Sequence, residues 1–105
     1  MNGLVQKLTT GDHPIAVPKY RTSADLKAAI DRGQVLVKFT DTCGGTELGV
    51  KLDPNLSDWA NADFVGATGT IRLVGDLTLN YVRVKCMTTL DLSRLNGQGH
   101  LEIRE

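Results

Sequence analysis

Aromatic residues are scarce: one tryptophan, two tyrosines and two phenylalanines in 105 residues. A single-strand nucleic-acid surface, which stacks bases on rings, has too little to work with. Net charge of either sign is also missing. Twelve basic residues balance twelve acidic ones. No basic footprint for nucleic acid or for an anionic membrane is expected, and a neutral chain self-associates more readily than a charged one. Cysteine is limited to Cys43 and Cys86. Two are too few for a disulfide framework and read as free thiols in the cytoplasm. No CxxC or HxxxH spacing joins them to His13 and His100, so neither a metal set nor a cofactor is expected. No apolar run approaches the roughly 18 residues of a membrane helix. No signal peptide or lipidation motif is seen. The expectation is one domain over residues 1–105, able to bury about two thirds of its unfolded surface without staples.

What the sequence does have is strand alternation, densest from Gly69 to Glu105. Asn96-Gly97 between apolar runs is a strong type I′ hairpin signal. A turn there predicts the pairs Leu95–Gln98, Ser93–His100, Leu92–Leu101 and Leu90–Ile103. It gathers Leu90, Leu92, Leu101 and Ile103 on one face. Gly75-Asp76 fails the same test. Ile71, Leu73, Leu77, Leu79 and Tyr81 share a face only along one long strand, with Gly75 as a bend or bulge. The parity changes near Tyr81, to Val82, Val84 and Cys86, which implies a second bulge, a turn, or burial on both faces. Kinked long strands curl a sheet toward a barrel.

The first 20 residues are weakly patterned. Leu4, Val5 and Leu8 suggest a short strand, and Ile15-Ala16-Val17 an edge strand stopped by Pro18. A helix is expected from Ser23 to Arg32. Thr22 with Asp25 has capping-box spacing, Ser23 competes as the cap, Leu26, Ala29 and Ile30 form the stripe, and Gly33 ends it. Val35, Val37 and Phe39 face Leu48, Val50 and Leu52 in a hairpin, with Phe39 opposite Leu48 or the register shifted by two. Pro54 to Gly69 is a connector in which Asn55 or Ser57 caps a helical turn and Leu56, Trp59 and Phe64 are apolar anchors. The fold class expected is α+β: a strongly curved antiparallel sheet or small β-barrel with one packed helix.

Three clusters are candidates for chemistry. The loop residues Thr42, Cys43, Gly44, Gly45 and Thr46 are candidate ligand-binding residues, because paired glycines turn N–H groups toward an anion. No P-loop pattern accompanies them. Asp91, Ser93 and His100 are candidate catalytic residues, since the Asn-Gly register sets them on one strand face; a triad also needs an oxyanion hole and a cleft. Arg72, Asp76, Thr78 and Asn80, then Arg83 and Lys85, would line a cavity if a closed barrel turned them inward. Cys86 reads as a small buried hydrophobe and Trp59 as core packing. The leading functional expectation is a non-catalytic accessory, regulatory or self-assembling subunit, a homo-oligomer or bound to a protein partner. The alternative is a small barrel enzyme or carrier holding a small organic ligand inside the sheet. Whether the chain is an enzyme is left open.

Overall fold

Alternating strands close into a six-stranded antiparallel barrel in the order β1-β2-β3-β4-β5-β6. The structure, a computed structural model, describes residues 3–42, 44–79 and 81–104, with only the backbone of Leu4. In chain order these are α1 (Gly3–Leu8), β1 (His13–Ala16), α2 (Ser23–Arg32), β2 (Gln34–Phe39), β3 (Thr46–Leu52), β4 (Thr70–Leu79), β5 (Val82–Asp91) and β6 (Asn96–Ile103). The chain is therefore mostly β, with two short helices among the described residues rather than an even α+β division. No helix among the described residues is long and apolar enough to cross a membrane.

The first apolar residues form a helix, not a strand. Val5 and Leu8 are fully buried three residues apart, a helical spacing. β1 is not an edge, because it pairs β2 on one side and β6 on the other and so closes the barrel. α2 forms where expected. Thr22 is extended, and its hydroxyl accepts from the Asp25 N–H at 3.1 Å. Gly33 sits in the left-handed region, at φ 82°. Leu26, Ala29 and Ile30 are buried, and the helix packs on β2. Ser23 is not the cap; it is buried, and its hydroxyl donates to the Phe64 carbonyl.

Of the two β2–β3 registers, the shorter loop holds, with Val37 opposite Leu48 and Phe39 opposite Thr46. β4 is one unbroken strand against β5, from Thr70–Asp91 to Leu79–Val82. Gly75 is thus no bulge on that side. A Cβ there would strike the Lys51 carbonyl oxygen where β3 crosses. Tyr81, at φ 70°, belongs to the tight turn that causes the parity change; Asn80 lies outside the described residues.

The β5–β6 turn lies earlier than Asn-Gly would place it. It is Leu92-Ser93-Arg94-Leu95, between paired Asp91 and Asn96, and the strands then run to Val84–Ile103. Asn96 and Gly97 are strand residues that also pair Ala16 and Ile15 of β1. The connector carries no helix through Ala60, only a single turn closed by the Ser57 N–H on the Asp53 carbonyl. Asp53, Asp58 and Asp63 instead each accept an N–H two residues on, from Asn55, Ala60 and Val65.

The barrel interior is filled with side chains. Phe39, Ile15, Ile71, Leu90, Leu101 and Val37 are all essentially inaccessible, as a barrel of fewer than eight strands requires. Leu77 and Val82 are only partly buried and Ile103 is exposed, so the predicted core thins at the β4–β5 tip. Arg72, Thr78 and Arg83 are exposed and Asp76 and Lys85 half-buried, all on the outward parity, so they line no internal cavity.

Candidate functional site

Three segments from distant parts of the chain meet beside the start of α2. The first is α2 itself. The second is the turn after Asp63, whose carboxylate accepts from the Val65 and Gly66 N–H groups at 3.0 and 2.9 Å. A bridge between Asp63 and Thr68 closes that turn, and the buried Ser23 hydroxyl ties it to α2 through the Phe64 carbonyl. The third is the Leu92–Leu95 loop. Its shape follows from Asp91, which accepts from the Ser93 N–H at 2.9 Å and the Ser93 hydroxyl at 2.7 Å. Leu95, at φ 55°, completes the turn. The loop is pinned at both ends: the Leu92 N–H donates to the Gly69 carbonyl and the Val17 N–H to the Leu95 carbonyl.

Together they enclose an open groove of about 720 Å³. Phe64, Leu92 and Leu95 supply apolar walls, Arg21, Lys27 and Arg94 supply positive charge, and no carboxylate is among the lining residues. Lys27 bonds Asp31 at 2.5 Å and lies 5.9 Å from the Phe64 ring centroid. Arg21 and Arg94 make no ion pair among the described residues. The Ser93 hydrogen bonds, with a smaller contribution from Arg94, hold the Asp91 carboxyl below its ordinary value.

Of the candidate catalytic set, Asp91 and Ser93 come together and only Ser93 lines the groove, while His100 lies elsewhere. His100 lies opposite Met87. Its ring nitrogens face Asp12 at 3.3 Å and Glu102 at 3.0 Å. The expected Ser93–His100 juxtaposition is absent because of the earlier turn. In the β2–β3 loop, Thr42 and Thr46 share a hydrogen bond of 2.7 Å, and the Gly45 N–H donates to the Thr42 carbonyl. Gly44 and Gly45 both adopt positive φ. Cys43 lies outside the described residues.

His13 bridges two segments. Its Nδ1 meets Asp41 Oδ2 at 2.7 Å and its Nε2 meets the Thr10 carbonyl at 2.9 Å. Both partners are acceptors, so the ring bonds best when doubly protonated. The Asp41 hydrogen bond raises the His13 pKa, and the His13 bond lowers that of Asp41. Cys86 points into the barrel, where burial pushes its thiol up to about 12.

Arg21, Lys27, Phe64 and Arg94 carry no sequence signal as a group. Arg21 and Lys27 lie at α2, Phe64 and Arg94 on two other segments of the chain, and no spacing rule joins the three. Compared with known proteins, the chain matches no family model and no curated sequence.

Proposed function

We propose that this chain is a non-catalytic cytosolic binding protein that takes a small organic ligand into the groove between α2, the Phe64 turn and the Leu92–Leu95 loop. The observation that carries this reading is the groove itself. Its volume of about 720 Å³ falls in the range of ligand sites, roughly 300–1,000 Å³, and its walls mix apolar surface with a few polar groups. The packed interior argues that any ligand sits outside the sheet. The histidines are engaged, His13 by Asp41 and Thr10 and His100 by Asp12 and Glu102. The groove is lined by no histidine and no carboxylate, and its one amine, Lys27, is bonded to Asp31.

Native mass spectrometry of the protein after exposure to a small-molecule extract tests this reading. A one-to-one adduct is expected, released at unchanged mass and lost in Ala24→Trp, which fills the groove from an exposed helix position. Release of a chemically altered molecule contradicts the non-catalytic part. An adduct undiminished in Ala24→Trp contradicts the groove.

The accessory or self-assembling reading keeps one specific support. β3 pairs β4 only at Lys51 and Leu52, so the Thr46–Val50 side facing away from β2 has no partner strand among the described residues and is suited to strand addition. A dimer that a charged substitution at exposed Gly49 disperses would favour it.

A further inference from the structure

The charge of the groove, beyond its volume, selects a class of ligand; this selection rests on the binding reading proposed for the groove. We propose that its ligand is an organic anion: an oxyanion head held by Arg21 and Arg94, joined to an apolar body lying on Phe64 and Leu95. The first observation is sign. The whole chain is neutral, with 12 basic and 12 acidic residues, yet the lining holds three cations and no acid.

The second observation is availability. Elsewhere on the surface, several charged groups are paired. Arg104 bonds Asp76 and Lys7 donates to the Asp41 carbonyl. Within the groove Lys27 is joined to Asp31, while Arg21 and Arg94 make no ion pair among the described residues. The neighbouring acid, Asp91, directs its carboxylate to the N–H and hydroxyl of Ser93. A guanidinium offers a planar fork of donors that fits an oxyanion. The half-buried Phe64 and Leu95 beside it are the apolar surface such a head would leave for its body. A neutral ligand would use that surface and gain nothing from the two arginines. A cation would be repelled.

A matched pair of probes separates charge from shape. 8-Anilinonaphthalene-1-sulfonate carries an anionic head on the rings of N-phenyl-1-naphthylamine, which is neutral. Fluorescence titration should show the sulfonate binding about tenfold tighter than the neutral probe, the scale of one or two charge-assisted contacts. The gap should shrink as salt rises and vanish in Arg21→Gln/Arg94→Gln. The neutral probe's affinity should not change in that variant. Both side chains are exposed, so the double variant should fold, and its circular dichroism spectrum checks this. Equal affinity for the two probes, or a preference that survives the double variant, overturns the anion assignment while leaving the groove standing. Failure of both probes to bind overturns the groove reading together with it.

Discussion

His13 shows how one side chain ties a fold to pH. It joins the Thr10 carbonyl, just after α1, to Asp41 at the end of β2. Its folded pKa lies above the ordinary 6.5. The latch therefore contributes fully below about pH 6.5 and is lost as pH rises through the raised value. Asp41 runs the other way: its pKa is lowered from 3.8, so its contribution is present above that value and is lost as pH falls below it. The denaturation midpoint in urea should fall in the wild type as pH rises from the ordinary histidine value of 6.5 through the raised one. The fall should be smaller in His13→Gln; equal slopes would contradict the latch. Gly97 makes a different point. A Cβ there would run into the Thr89 carbonyl oxygen of the neighbouring strand. Gly97→Ala should cost about 2–3 kcal/mol in chemical denaturation, the scale of overpacking. Cys86 is buried and its thiol is pushed up to about 12, so in a Cys43→Ser background Ellman's reagent should react only after unfolding.

At the scale of elements, local signals succeeded where the chemistry was local. α2 was legible because Thr22, Asp25 and Gly33 act within one or two turns. Thr22→Ala should remove about 1 kcal/mol of stability, measured by thermal or urea unfolding. The β5–β6 hairpin was half legible. Alternation fixes which residues share a face, and Leu90, Leu92 and Leu101 are indeed all buried. It does not fix register, because a shift by an even number of residues leaves every face unchanged. Asn96-Gly97 was the stronger turn signal, but those residues are needed to pair Ala16 and Ile15 of β1. The turn therefore falls to Asp91, whose carboxylate organises the following loop. The competing demand came from β1, at the far end of the chain, which no local rule can weigh. The expected Ser93–His100 pairing is absent for the same reason, since it depended on the register and not on the faces.

At the scale of the molecule, closure of the sheet moves the site. A curved sheet of uncertain closure invited a ligand inside, and the polar residues at Arg72, Asp76 and Thr78 were candidates to line it. With six strands the barrel is too narrow for anything but its own side chains. The concave surface instead arises where α2, the connector and the Leu92–Leu95 loop meet. That site was illegible in sequence because Arg21, Phe64 and Arg94 become neighbours only through the fold.

The most direct test is a map of where a ligand lands. Amide chemical shifts of the ¹⁵N-labelled protein should be followed while N-phenyl-1-naphthylamine is added. The account predicts that the perturbed amides lie at Arg21–Lys27, Phe64–Ala67 and Leu92–Leu95. Perturbations centred instead on Val37, Leu73, Cys86 and Leu101 would place the ligand inside the barrel and contradict it.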